Sequence, residues 1–129
     1  MPQELRKILY IEDEADIQTI AKIALESVGG FEVLVCGSGT EAIHQAPEFG
    51  PDLILLDVMM PGMDGPDTLE ALHRLPETKD TPAVFLTAKA LPSEVERYKE
   101  LGALDIIAKP FDPMKLADQV REIWSDRDR

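Results

Sequence analysis

The feature that most constrains the fold of this chain is a set of short apolar runs that recur along it. The runs are KILYI (7–11), EVLVC (32–36), DLILLD (52–57), AVFLT (83–87) and LDIIA (104–108). They are rich in isoleucine, leucine and valine, and they mostly lack the alternation of polar and apolar residues. Continuous runs of this kind are typical of strands that are buried on both faces of a parallel sheet.

Segments with helical periodicity separate the runs. In ADIQTIAKIALESV the apolar positions 17, 20, 21, 24 and 28 fall on one stripe, and two glycines follow as a stop signal. Ser38 with Glu41 and Ser93 with Glu96 have capping-box spacing, and Asp112 before a proline predicts the start of the last helix. Strand followed by helix, five times over, predicts an α/β fold with an open parallel sheet and helices on both faces. Because no linker interrupts the pattern, we expect a single domain over residues 1–129.

Composition narrows the classes of function. At 129 residues, with 44% hydrophobic and 29% charged residues, the chain is typical of one globular domain. The net charge of −12 repels phosphate backbones, so we expect no direct nucleic-acid binding, and it attracts cations wherever carboxylates converge. The single cysteine, the lack of an apolar run long enough for a bilayer and the polar N-terminus make the cytoplasm, without membrane attachment, the expected location.

Polar side chains follow four of the five predicted strands. Glu12 and Asp13 follow the first strand, Asp57 the third, Thr87 the fourth and Lys109 the fifth. Each could be an ordinary helix cap or surface charge when taken alone. The carboxyl ends of parallel strands lie at one edge of a sheet, however, which is where ligands bind in such folds. Together these residues predict one site.

The residue types at these positions suit phosphoryl transfer to a carboxylate. An aspartate such as Asp57 can act as the nucleophile and form an aspartyl phosphate. Crowded carboxylates repel one another and favour a bound cation, and Mg²⁺ prefers oxygen ligands of this kind. A lysine such as Lys109 would neutralise charge on the transferred group, and the Thr87 hydroxyl would donate a hydrogen bond to it.

The same residues resemble the receiver (CheY-like) domain of two-component response regulators, over about residues 6–126. The matching motifs are IED at 11–13, LLDVMMPGMDG at 55–65, FLTA at 85–88 and AKPF at 108–111. The resemblance implies a doubly wound (βα)5, flavodoxin-like fold with strand order 2-1-3-4-5. It implies that Asp57 is the phosphoacceptor, and that Glu12 and Asp13 bind magnesium together with Asp57 and the main-chain carbonyl of Met59. Manganese could substitute for magnesium.

The resemblance also implies roles for residues at the ends of the fourth and fifth strands. Thr87 corresponds to the switch hydroxyl and Lys109 to the phosphate-binding lysine, and the peptide bond between Lys109 and Pro110 is expected to be cis. Many receivers carry an aromatic residue three positions before the lysine, whereas this chain has Ile106. We therefore expect the output to depend more on the loop around Ala88 and on the fourth helix.

Two positions beside the site are predicted to set the lifetime of the phosphoryl group. Met59 would limit the approach of water, and Lys89, two residues after Thr87, offers no acid to orient a water molecule. We therefore expect a comparatively long-lived phosphoryl group. The alternative interpretation is that both are ordinary exposed loop residues.

These features predict a phosphorylation-dependent receiver that accepts a phosphoryl group from a histidine kinase or a histidine phosphotransfer protein. We expect no effector domain within the 129 residues, so the output would pass to a protein target, and we expect a monomer or a weak homodimer. The domain would promote only its own phosphorylation and dephosphorylation and would not be an enzyme. Three alternatives remain: a receiver segment of a hybrid kinase or larger regulator, a pseudo-receiver, and a haloacid-dehalogenase-type phosphatase, although Met59 stands where that phosphatase needs a second aspartate.

Overall fold

The computed structural model describes residues 4–127, so residues 1–3 and 128–129 of the expected domain lie outside the described part. Strands and helices alternate along it in the predicted way. In chain order they are β1 (Lys7–Ile11), α1 (Ala15–Ile23, continued by a π-helical segment at Ala24–Val28), β2 (Glu32–Cys36), α2 (Gly39–Phe49), β3 (Leu53–Asp57), α3 (Gly65–Arg74), β4 (Ala83–Thr87), α4 (Pro92–Glu100), β5 (Asp105–Ala108) and α5 (Leu116–Asp126). Within residues 4–127, no helix is both long enough and apolar enough to cross a membrane.

The strands of the described residues form one parallel sheet in the order 2-1-3-4-5, which confirms the expected topology. β1 pairs with both β2 and β3, and β3 in turn pairs with β4. Strand order therefore reverses between β1 and β3, and their carboxyl ends are direct neighbours at the point where ligands bind in doubly wound sheets. In this register Ile11 pairs with Leu56. Glu12 follows Ile11 and Asp57 follows Leu56, so the two acidic residues come directly after a pair of neighbouring strand residues.

The core lies on both faces of the sheet. Side chains of successive strand residues point to opposite faces, and both faces are covered. α1 and α5 pack on the face of Ile8 and Leu55, whereas α2, α3 and α4 pack on the face of Leu9 and Ile54. All five residues of β3 are buried. Since burial of one such aliphatic side chain contributes about 1.5–3 kcal/mol, this strand anchors the position at which Asp57 leaves the sheet.

The predicted apolar stripe of the first helix is partly wrong. Ala21 and Ala24 are buried as predicted, but the exposed fractions of Ile20 and Val28 are 46% and 49%, and Leu25 is buried instead. The π-helical segment at Ala24–Val28 adds a residue to the turn and rotates the positions within and after it, which accounts for Val28 but not for Ile20, since Ile20 precedes the segment. Ile20 lies on the outer side of α1.

Two of the predicted helix starts also differ from the structure. Ser38 accepts a hydrogen bond from the main-chain N–H of Glu41 at 3.1 Å, as predicted. Ser93 caps nothing, because α4 already begins at Pro92, whose fixed φ suits the first helical position. Asp112 accepts a hydrogen bond from Met114 in a turn that precedes α5, so the last helix begins later than predicted.

Candidate functional site

Asp57 is the last residue of β3 and is 5% exposed at the centre of the sheet edge. The chain then loops outward and returns at Gly65, whose N–H donates to the carbonyl of Val58 at 2.9 Å. A Cβ on Gly65 would lie 2.5 Å from the carbonyl oxygen of Asp57, which is closer than real atoms approach. A glycine at this position therefore allows α3 to begin directly against the end of β3.

Three carboxylates converge at this edge. Glu12, Asp13 and Asp57 each offer an oxygen, and these oxygens lie within 4.8 Å of one another. Glu12 and Asp57 are buried, whereas Asp13 is exposed at the mouth of the site. The predicted convergence is therefore present, and Glu12 and Asp13 do not serve as side-chain caps of α1. An all-oxygen set of carboxylates fits a hard divalent cation such as Mg²⁺.

Lys109 is an internal partner of this cluster rather than a surface charge. Its ammonium nitrogen lies 3.0 Å from a carboxylate oxygen of Glu12 and 3.3 Å from one of Asp57. Burial alone would lower the pKa of Lys109, but its hydrogen bonds to Glu12 and Asp57 and their negative charges raise that pKa above its usual value. The site therefore carries a permanent positive charge beside two buried carboxylates.

Glu12 is the carboxylate whose ionisation is most disturbed. Its pKa rises from 4.5 to about 7, chiefly because the side chain is buried and also because it hydrogen-bonds to Asp57, while Lys109 acts in the opposite direction. One oxygen of Glu12 accepts a hydrogen bond from the main-chain N–H of Asp13 at 3.1 Å. In the absence of a cation, Glu12 therefore takes up a proton near neutral pH.

Thr87 ends β4 on the other side of Asp57 and is 4% exposed. Its hydroxyl oxygen accepts a hydrogen bond from the main-chain N–H of Lys89 at 3.0 Å, and its carbonyl accepts from the N–H of Lys109 at 2.8 Å. The hydroxyl proton is left to donate elsewhere. Since α4 begins at Pro92, Thr87 is not its cap.

The peptide bond between Lys109 and Pro110 is cis, as expected. Beside it lies an apolar groove of about 380 Å³ between α1 and the segment that follows β5. Its lining includes Ile17, Ile20, Ala88, Pro110, Phe111 and Pro113, and it reaches Lys109. Ile20, which departs from the predicted stripe, lines this groove.

The remaining predicted residues lie around the site. Met59 has an exposed fraction of 78%, and Ala88 and Lys89 are also exposed. Ile106 is half-buried and packs against the apolar cluster on the face of Leu9. The tuning roles of these residues stay predictions, and the exposure of Met59 and Lys89 also fits the alternative that they are ordinary loop residues.

The sequence analysis missed Gln18, whose side-chain amide donates a hydrogen bond to the main-chain carbonyl of Glu12. Helix geometry holds a signal for it, since a helical side chain leans over the preceding turn toward the N-terminus. A polar side chain four residues after Glu14 is therefore placed to reach back to the acidic loop.

Known proteins with related sequences and structures share this arrangement of elements. The model of the response regulator receiver domain matches residues 8–121. The DNA-binding response regulator MtrA of Mycolicibacterium paratuberculosis is 40% identical over 116 residues, which are 90% of this chain and 50% of that protein. The structure of the chemotaxis response regulator CheY4 of Vibrio cholerae gives a TM-score of 0.85 at 29% identity and covers 93% of this chain and 99% of that one.

A second solved structure is the receiver domain of a signal transduction histidine kinase from Syntrophus aciditrophicus. It gives a TM-score of 0.78 at 34% identity and covers 94% of this chain and 91% of that one. The chain spans about half the length of the curated relatives it matches. The family match over residues 8–121, the strand order of the sheet and these relatives lead to one conclusion. The chain belongs to the response regulator receiver domain family.

Proposed function

We propose that this domain is a signalling switch that is phosphorylated on Asp57. The observation that supports this most strongly is that Lys109 and the carboxylates of Glu12 and Asp13 surround Asp57 at the end of a fully buried strand. The nucleophile, a place for a cation and a counter-charge for the transferred group are thus present in one small volume.

In the proposed reaction, a carboxylate oxygen of Asp57 attacks the phosphorus of a phosphohistidine. The new O–P bond forms as the P–N bond breaks, and the bonding electron pair stays on the nitrogen of the departing imidazole. Glu12, Asp13, Asp57 and the main-chain carbonyl of Met59 would hold magnesium, which would neutralise charge on the phosphoryl oxygens. Manganese would serve the same purpose because it takes the same ligands.

Lys109 and Thr87 would bind the new phosphoryl group. After transfer, the ammonium of Lys109, which already lies 3.3 Å from Asp57, would pair with a phosphoryl oxygen. The hydroxyl of Thr87 would donate its free proton to another phosphoryl oxygen, and its movement toward that oxygen would break the contact with the N–H of Lys89. That exchange would move the loop at Ala88 and the start of α4, with Ile106 repacking in place of an aromatic ring.

We propose that the phosphodonor is a histidine kinase or a histidine phosphotransfer protein and that it packs on the apolar groove beside Lys109. The half-exposed side chain of Ile20 is part of that groove and is available to a partner. The output would pass to a protein target or to a further domain of a longer chain. One relative is named as DNA-binding, so the expected lack of nucleic-acid contact stays a prediction for this domain, supported by its net charge of −12.

We propose that the domain is a switch rather than an enzyme with a separate substrate. A phosphatase with an aspartate nucleophile needs a second carboxylate two residues further on as acid and base, and this chain has the thioether of Met59 there. The pseudo-receiver alternative is disfavoured because the acidic pair, Asp57, Thr87 and Lys109 are all present.

The test is to incubate the protein with magnesium and acetyl phosphate and to measure its intact mass. Wild type should gain one phosphoryl group, and Asp57→Asn should gain none. Asp16→Asn, which alters an exposed aspartate of α1, is the matched control and should behave as wild type. Equal labelling of Asp57→Asn, or labelling that persists after magnesium is chelated, would disprove the proposed mechanism.

A further inference from the structure

The side chain of Gln18 holds the loop that carries the acidic pair. Gln18 lies one turn into α1, and its amide donates a hydrogen bond to the main-chain carbonyl of Glu12. Its own main-chain N–H donates to the carbonyl of Glu14 at 3.0 Å. A single residue of α1 is therefore bonded to the loop at two points.

The peptide that links Glu12 to Asp13 is restrained at both of its polar atoms. The carbonyl of this peptide accepts a hydrogen bond from the side chain of Gln18. The N–H of the same peptide donates to the carboxylate of Glu12 at 3.1 Å. The loop is tied to β2 on its other side, since the N–H of Glu12 donates to the carbonyl of Cys36 at 3.0 Å. Because this peptide joins the two acidic residues, its orientation determines where both carboxylates point.

Holding the two carboxylates near Asp57 works against their mutual repulsion. Asp13 is exposed, and Glu14 occupies the N-cap position of α1 without a side-chain hydrogen bond. Without the bond from Gln18, rotation of the Glu12–Asp13 peptide would let Asp13 turn outward, away from the like charges. Cation binding would then have to reorder the loop first.

We propose that Gln18 is a positioning residue of the cation site, an inference that rests on the function proposed above. It fixes the Glu12–Asp13 peptide so that the carboxylates stay within 4.8 Å of that of Asp57 before a cation arrives. A bound cation would contact the carboxylates, and Gln18 would act on it through the main chain of the loop.

The experiment measures Mn²⁺ binding to the metal-free protein by calorimetry and, separately, amide hydrogen exchange at Asp13. Gln18→Met keeps the length of the side chain and removes the donor. We expect it to weaken Mn²⁺ binding by about three- to tenfold, as for the loss of one supporting hydrogen bond. We also expect faster exchange at Asp13 without metal. Gln45→Met, which removes an exposed amide bonded to Glu41 on α2, is the matched control and should bind Mn²⁺ as wild type does.

Asp13→Asn distinguishes a failure of the role proposed for Gln18 from a failure of the cation site itself. If Asp13→Asn weakens Mn²⁺ binding while Gln18→Met binds as wild type does, the role of Gln18 is disproved and the cation site stands. If Asp13→Asn also binds as wild type does, the cation site itself is disproved, and the inference about Gln18 with it. A lower thermal stability of Gln18→Met with unchanged Mn²⁺ affinity would make Gln18 a purely structural residue and would overturn the inference.

Discussion

Replacing Glu12 by glutamine should make the metal-free protein more stable at pH 8. Glu12 is fully buried, and its pKa in the folded protein is about 7, against 4.5 for an ordinary glutamate. Between these two pH values the unfolded chain has released the proton and the folded protein still holds it. The folded state therefore binds more protons, and the free energy of unfolding falls as pH rises through this window, then levels above pH 7.

The size of the change in the free energy of unfolding follows from the pKa shift of Glu12. One pKa unit corresponds to about 1.4 kcal/mol, so the rise from 4.5 to about 7 corresponds to about 3 kcal/mol of stability lost across the window. Glutamine carries no charge to desolvate, but Lys109 loses one of its two partners, which offsets part of the gain. We expect Glu12→Gln to exceed wild type by about 1–2 kcal/mol at pH 8, in line with other replacements of buried charges.

The assay is urea denaturation with EDTA at a series of pH values from 4.5 to 8. Wild type should lose stability across this range more steeply than Glu12→Gln, and Glu96→Gln, at an exposed position of α4, should follow wild type. Adding magnesium at pH 8 should stabilise wild type more than Glu12→Gln, because the cation favours ionised carboxylates. Parallel pH profiles for wild type and Glu12→Gln, or a less stable Glu12→Gln at pH 8, would show that the pKa of Glu12 is not raised in this way.

Three further predictions concern the surroundings of the site. Lys109→Met should move the midpoint of the pH-dependent stability loss upward by about one pH unit in the same assay, because the lysine is the charge that lowers the pKa of Glu12; an unchanged midpoint would contradict this. Lys89→Glu should shorten the phosphoryl lifetime roughly tenfold, measured as loss of the added mass with time, since a carboxylate two residues after Thr87 can orient water; an unchanged lifetime would contradict the tuning role. Ile20→Glu should slow phosphotransfer from a protein donor roughly tenfold, which corresponds to about 1.4 kcal/mol of docking energy, and should leave labelling by acetyl phosphate unchanged; equal slowing of both would contradict docking at the groove.

Much of the fold was predictable because the sheet is buried on both faces. Because both faces of β3 are buried, each residue from Leu53 to Leu56 is apolar. The apolar run therefore ends at Asp57, the last residue of the strand. The parallel arrangement then brings the strand ends to one edge, which placed Glu12 beside Asp57 without further information. The strand order came from the family resemblance, and the structure confirmed it.

The predictions from the sequence are wrong or incomplete where side-chain placement or local backbone geometry determines the structure. The predicted stripe assumed a regular helix through Val28, and the π-helical segment at Ala24–Val28 changes the register there. Ser93 has capping-box spacing, but the helix begins at Pro92, two residues before the start that a cap at Ser93 would give. The raised pKa of Glu12 depends on its full burial and on Asp57 beside it, and the link from Gln18 depends on a contact between a side chain and the main chain. Residue spacing places Gln18 within reach of the acidic loop, but it determines neither that contact nor the burial of Glu12.

Phosphorylation of Asp57 is tested most directly by locating the phosphoryl group on the chain. Wild type is labelled with acetyl phosphate and magnesium and then treated with borohydride, which reduces an aspartyl phosphate to homoserine. The digested protein is sequenced by tandem mass spectrometry. We predict homoserine at position 57, with Asp13, Asp52 and Asp64 unchanged. Homoserine at another aspartate, or a labelled protein with Asp57 intact, would contradict it.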